Sequence, residues 1–215
     1  MTESPEEEGA QTFAELGLSE EVLAALSEMG WDTPTPVQRD SYPLAIAGHD
    51  IIVQSRTGTG KTGAFGIPLV DKLVSNDSDH QALVLAPTRE LALQSAAEIE
   101  KLGANRGIET VAVYGGSSMD RQIRALEQGA RVISGTPGRV LDHLNRGTID
   151  ASRLRILVLD EADEMLSMGF AKELNAIIEQ LPEKRQTLLF SATVDRAIKR
   201  VAERHMNDPQ FLGLS

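Results

Sequence analysis

Apolar positions along this chain alternate between two spacings. Short unbroken runs recur at Ile51-Ile52-Val53, Ala82-Leu83-Val84-Leu85-Ala86, Val111-Ala112-Val113, Arg131-Val132-Ile133, Ile156-Leu157-Val158-Leu159 and Thr187-Leu188-Leu189-Phe190. Several carry no polar position, which predicts strands buried on both faces, as in a parallel sheet. Between them apolar residues fall at helical spacing: Leu174, Ile177, Ile178 and Leu181 in one segment, Ile198, Val201, Ala202 and His205 in another. Upstream, Ser19 can cap a helix whose Val22, Ala25, Leu26 and Met29 share a face, and Gly30 ends it. Pro34 and Pro36 break the chain before a helical stretch near Val37–Ala47. Phe211-Leu212-Gly213-Leu214 completes the series as a last strand. The alternation predicts an α/β fold: a doubly wound, mainly parallel sheet flanked by helices on both faces. Residues 1–10 read as a disordered acidic tail, around Glu6-Glu7-Glu8, and 11–215 as one domain.

Composition narrows the function classes. Hydrophobic residues at 41% suffice for an ordinary core. No apolar run approaches membrane-spanning length, so no membrane role is expected. The acidic start, Met1-Thr2-Glu3, is unlike a secretory signal, and the expected compartment is the cytoplasm. The absence of cysteine removes disulfides, thiolate zinc sites and iron–sulfur clusters together. His49, His80, His143 and His205 have no metal-ligand spacing and read as structural or surface residues. The formal charge of −11 argues against nonspecific nucleic-acid binding through a basic face. It leaves room for a grip on a few phosphates by backbone amides and placed arginines.

In open α/β sheets ligands bind beyond the carboxyl ends of the strands, so the residues after each run are the candidates. The first run is followed by Ser55-Arg56-Thr57-Gly58-Thr59-Gly60-Lys61-Thr62, the spacing of a phosphate-binding loop with Ser55 in place of the first glycine. Small residues there let backbone N–H groups wrap phosphate oxygens, and the following helix N-terminus adds partial positive charge. Lys61 can reach the terminal phosphates and Thr62 can ligate Mg²⁺. The run Ile156–Leu159 ends in Asp160-Glu161-Ala162-Asp163. Asp160 is placed to hold Mg²⁺, and Glu161 to orient and deprotonate an attacking water. An acidic helix start would explain one of these carboxylates, less easily both.

These motifs resemble those of the DEAD-box RNA helicases, in the order that family has them. Asp160-Glu161-Ala162-Asp163 spells the family's name. Gly30-Trp31-Asp32-Thr33-Pro34-Thr35-Pro36-Val37-Gln38 resembles its Q motif, with Phe13 as the aromatic 17 residues upstream of Gly30. Pro87-Thr88-Arg89-Glu90-Leu91, Gly115-Gly116, Thr136-Pro137-Gly138-Arg139 and Ser191-Ala192-Thr193 resemble further motifs, and the likeness runs from Phe13 to about residue 212. The stretch Asp160–Phe170 is most similar to bacterial cold-shock and ribosome-assembly members.

The resemblance implies a RecA-like fold, ATP or ADP with Mg²⁺ as cofactors, and RNA bound through its backbone without regard to sequence. It implies that Gln38 reads the adenine edge, for which its amide offers a donor and an acceptor, and that Phe13 stacks on the ring. Read without the family, Phe13 is a core residue; Trp31 reads as packing. Pro87, Thr88, Arg89, Gly115, Gly116, Thr136, Pro137, Gly138 and Arg139 are the implied RNA-backbone contacts. Thr88 and Thr136 read equally as helix caps, with Pro137 suited to a first turn. Ser191 and Thr193 are implied to couple the nucleotide site to domain closure, or else to cap the helix after them. The family's second RecA-like domain, which carries arginines that reach the γ-phosphate, is not in the chain. The expectation is therefore a monomeric front domain that binds nucleotide and turns it over very slowly alone. A nucleotide-gated RNA- or protein-binding module, or a different phosphate-loop enzyme, is the competing reading. Lys61, Asp160 and Glu161 speak against the first, and Gln38 with Phe13 against the second.

Overall fold

A computed structural model describes residues 11–56 and 60–214. The expected tail at 1–10 and the loop residues Thr57, Gly58 and Thr59 lie outside them. Seven strands form one sheet: β1 (Ile51–Gln54), β2 (Ala82–Leu85), β3 (Thr110–Val113), β4 (Val132–Gly135), β5 (Ile156–Leu159), β6 (Gln186–Ser191) and β7 (Gln210–Gly213). Their order is β3-β4-β2-β5-β6-β1-β7, and every neighbouring pair is parallel. The apolar runs of β1, β2, β4, β5 and β6 are thus strands covered on both sides, while β3 is half-buried and β7, at the sheet's edge, is largely exposed.

The strand residues divide between two cores. Ile51, Val53, Val84, Val158 and Phe190 face one, with α1 (Glu20–Glu28), α2 (Pro36–Ile46), α3 (Lys61–Pro68) and α4 (Arg89–Gly103). Ile52, Leu83, Leu85, Leu157, Leu159 and Leu189 face the other, with α5 (Met119–Glu127), α6 (Pro137–Arg146), α7 (Ala162–Ser167), α8 (Ala171–Glu179) and α9 (Arg196–His205). Alternation along each strand therefore separates two apolar layers, not an apolar from a polar one. On the first face Phe65 and Phe190 meet edge to face, with centroids 5.3 Å apart. Among the described residues no helix is long and apolar enough to cross a membrane.

Most strand bounds shift by a residue from the sequence reading, and three differences are informative. Pro36 does not precede α2 but opens it: Thr35 caps the helix, and proline suits the first turn because its missing N–H would have no helical partner. β4 starts one residue late, at Val132, with the Arg131 side chain in an ion pair with Asp79 at 2.5 Å, and runs on through Ser134 and Gly135. β6 extends to include Gln186 and Ser191, both buried polar residues that the apolar run missed.

Candidate nucleotide and nucleic-acid sites

The two candidate sites share the carboxyl edge of the sheet. At the first, β1 leads to Ser55, which is buried and whose N–H donates to the Ser191 carbonyl at 3.1 Å. Gly60, at φ +82°, then starts α3, and Lys61 is its first residue. The N-terminus of α2 lies against this turn. Thr35 Oγ1 accepts from the Gln38 N–H at 3.3 Å, and Gln38 Oε1 accepts from the Thr35 N–H at 3.1 Å. This capping box fixes the Gln38 side chain. Its Nε2 donates to the Gly60 carbonyl at 3.2 Å. A Cβ on Gly60 would lie 2.9 Å from Gln38 Nε2 and from the Thr35 hydroxyl, and one on Gly63 would collide with the same amide. The two glycines thus let the α2 cap and the start of α3 touch.

Lys61, Thr62, Asp160 and Glu161 line one cleft of about 220 Å³, with Gln94 and Glu98 of α4 on its far wall. Lys61 is 8% exposed, and its Nζ is buried without a hydrogen-bond partner; Asp160 Oδ1 is in the same condition. Burial pushes the Asp160 carboxyl up to about 6, against the pull of the Lys61 charge. Buried polar atoms are normally paired, so two unpaired ones of opposite charge in one cleft mark a place shaped for something else. Glu161 joins β5 directly to α7 with φ 50° and ψ 51°, a left-handed conformation that costs a non-glycine residue about 1 kcal/mol or more. That turn sets its carboxylate at the cleft.

Ser191 and Thr193 are not helix caps. Asp195 caps α9, accepting from the Ile198 N–H at 3.0 Å. Thr193 instead donates from its N–H and its hydroxyl to Asp163 Oδ2, at 3.3 and 3.2 Å, while the Ser191 hydroxyl donates to the Thr193 carbonyl at 2.6 Å. Sequence reasoning gave Asp163 no role; its place in the acidic run was the signal. Phe13 is 4% exposed within the core of α1, α2 and α3, the position its packing reading describes. Trp31 is half-buried and lines the cleft beside Gly63. Arg56 is exposed. His143 and His80 are buried, and no metal-holding cluster exists among the described residues.

The second site lies beyond β2, β3 and β4. Pro87 is buried, and Thr88 caps α4 by accepting from the Leu91 N–H at 3.3 Å. Arg89 stacks over the Tyr114 ring at 5.0 Å. Gly115 and Gly116 are exposed, and a Cβ on either would meet nothing within 4 Å. Gly116 has φ +80°, so its backbone requires glycine; Gly115 has no such need. Thr136 occupies the cap position of α6 without making the capping bond, and Pro137 is its first residue. Gly138 is exposed, again with nothing near its would-be Cβ. Arg139 donates from Nη1 to the Ser117 carbonyl at 3.0 Å and to Gln122 Oε1 at 3.2 Å. Gln122, which no motif pointed to, is 5% exposed.

Fold and site together define a class: a doubly wound parallel domain of RecA type, with a lysine and a carboxylate facing each other where β1 and β5 end. The chain belongs to the DEAD/DEAH box helicase family, whose pattern matches residues 35–201. It is 52% identical over 201 residues to a DEAD-box ATP-dependent RNA helicase CshA of Geobacillus kaustophilus, covering 94% of this chain and 43% of that protein. It is 46% identical to the ATP-dependent RNA helicase CshA of Listeria monocytogenes, covering 93% of this chain and 38% of that one. A crystal structure of a DEAD box protein from the hyperthermophile Methanococcus jannaschii superposes with a TM-score of 0.92 at 42% identity, over 96% of this chain and 57% of that chain. The chain therefore spans well under two thirds of each of these proteins.

Proposed function

We propose that this chain is the nucleotide-binding domain of an ATP-dependent RNA helicase and that its cleft binds ATP or ADP with Mg²⁺. The observation that carries the reading is the pair of buried, unpartnered atoms, Lys61 Nζ at the start of α3 and Asp160 Oδ1 after β5, in one cleft. A phosphate oxygen would satisfy the first and a divalent cation the second. Asp160 and the Thr62 hydroxyl would hold the ion, which when bound neutralises phosphate charge and polarises its waters. The amides at the start of α3 complete the phosphate grip with Lys61, and Ser55, Arg56, Thr57, Gly58, Thr59 and Gly60 form its approach. Glu161 orients the attacking water and takes its proton.

Gln38 reads the adenine by exchanging its bond to the Gly60 carbonyl for one to the base, so base recognition is felt at the phosphate loop. Phe13, being buried, supports that corner as packing; stacking on the base would require its ring to be uncovered. The Asp163–Thr193 bonds tie the carboxylate strand to the segment after β6, a route by which nucleotide state reaches domain closure.

The face beyond β2, β3 and β4 binds RNA phosphates. Gly115 and Gly138 support this, since neither internal packing nor a positive φ demands glycine there, while a close-approaching backbone would. No base-reading group is implied, so binding is sequence-independent. The longer relatives fit a second RecA-like domain supplying arginines to the γ-phosphate; without such a group, hydrolysis falls by about 10³–10⁵-fold in related systems. The isolated chain is proposed to be a monomer of the cytoplasm.

Calorimetric titration tests the nucleotide reading. ADP should bind with Mg²⁺ and more weakly with a chelator; no binding in either condition removes the proposal. GTP or CTP binding as well as ADP would remove the role given to Gln38. In a two-domain protein carrying this chain, Glu161→Gln should preserve ATP binding and abolish turnover, and unchanged turnover would contradict the assignment.

A further inference from the structure

We infer that Gln122 and His143 are positioning residues of the nucleic-acid face: together they hold the loop at Gly115-Gly116 and the Arg139 guanidinium in one fixed arrangement. The inference rests on the RNA reading above.

The loop between β3 and α5 has little else to hold it. Its glycines are exposed, with nothing within 4 Å of a would-be Cβ, and Ser118 at its end is occupied in capping α5 by accepting from the Arg121 N–H at 3.3 Å. Two of its carbonyls are instead taken by side chains. Gln122 Nε2 donates to the Tyr114 carbonyl at 2.9 Å, and Arg139 Nη1 to the Ser117 carbonyl at 3.0 Å. The two donors are themselves joined, because Gln122 Oε1 accepts from Arg139 Nη1 at 3.2 Å and pairs with His143 Nε2 at 2.9 Å.

The protonation of His143 follows from the directions of these bonds. With Gln122 Nε2 donating to Tyr114, its Oε1 can only accept, so His143 Nε2 carries the hydrogen. His143 Nδ1 then accepts from the Thr148 hydroxyl at 2.7 Å, the shorter of that hydroxyl's two contacts, the other being the His143 carbonyl at 3.1 Å. The ring is fully buried, and burial, helped by the nearby Arg139 charge, lowers its affinity for a second proton. One neutral imidazole thus orients the Gln122 amide, and the amide fixes both the loop and the arginine. Among the described residues Arg139 bonds through Nη1 alone, which leaves Nε and Nη2 for an incoming phosphate. Arg89, stacked on Tyr114, is anchored to the same loop from the other side. Groups from the start of α4, the loop after β3, α5 and α6 are in this way set in register before any RNA arrives.

Two substitutions at His143 separate this role from simple core packing. Gln can return a donor near Nε2 and keep the link to Gln122; Asn can return a group near Nδ1 and keep only Thr148. Both lose the ring, so their melting temperatures should fall together. With a labelled short uridine oligomer at low salt, His143→Asn should bind roughly five- to tenfold more weakly than the unsubstituted chain, and His143→Gln close to it. Amide exchange at Gly115, Gly116 and Ser117 should quicken in His143→Asn alone. Equal behaviour of the two variants in exchange and binding overturns the inference, as does unchanged exchange in His143→Asn. If the unsubstituted chain fails to bind the oligomer, the RNA reading falls, and the exchange rates then decide the relay by themselves.

Discussion

The two ends of the sheet's carboxyl edge treat their polar groups in opposite ways. At β1 and β5, Lys61 and Asp160 are buried with unpartnered atoms, and Glu161 sits in a strained backbone conformation. At β2, β3 and β4, Thr88, Arg139, Gln122 and His143 are bonded to one another or to the backbone. The first region is unsatisfied until a ligand completes it; the second is complete and offers only its outer edge. Differential affinity for a ligand comes readily from the first kind, because binding relieves a cost already present in the free protein. The second kind suits a partner that is long, repetitive and not read base by base, where a fixed spacing of donors matters more than induced fit. On the function proposed above, the phosphate end is the place for switching and the other end for gripping.

The strongest challenge to that contrast is Lys61→Met. If Nζ is truly waiting for phosphate, its loss should weaken ADP binding by about a hundredfold, on the order of 3 kcal/mol, while the melting temperature barely moves. A large fall in stability would show that Lys61 belongs to the fold and erase the contrast. Asp160 sharpens it from the other charge. Its carboxyl is raised from 3.8 to about 6, so between these values the native state binds more protons than the unfolded one. Stability therefore decreases as pH rises through that window and recovers none of the loss above it. Asp160→Asn should flatten this dependence and stabilise the chain at neutral pH by up to about 3 kcal/mol. Urea denaturation from pH 4 to 7 measures both, and an identical pH slope in the variant would refute the burial cost.

The sequence displayed these two regions unequally. Strand order apart, the fold was legible because strands covered on both sides read as unbroken apolar runs, Leu83-Val84-Leu85 and Leu157-Val158-Leu159 among them. That Lys61, Asp160 and Glu161 share one cleft was legible because the segments carrying them follow β1 and β5 at the carboxyl edge of the sheet. Gln122 and His143 were hidden. They lie on helices at positions where a polar side chain usually faces water, and only the crossing of α5 and α6 brings them together. Asp163 was hidden for a similar reason, since Thr193 lies 30 residues away. Hydrogen-bonded support between distant segments leaves no local spacing to read. The burial of Phe13 belongs with these, because an aromatic side chain serves a core and a ligand equally well.

The smallest expected effect bears on the two threonines that open α4 and α6, which the sequence treats alike. Thr88 makes its capping bond and Thr136 does not. Thr88→Val should therefore lower stability by about 1 kcal/mol through the lost cap. Thr136→Val should stay within about 0.5 kcal/mol, as for a side chain with no bond to lose. Binding of a uridine oligomer should respond in the reverse order. The Thr136 hydroxyl makes no capping bond, and it stands beside the first-turn amides of Gly138 and Arg139 at the start of a ten-residue helix, where a phosphate is favoured. If Thr136→Val destabilises as much as Thr88→Val and leaves oligomer binding untouched, both threonines are caps, and the gripping face is narrowed to the loop at Gly115-Gly116 and the two arginines.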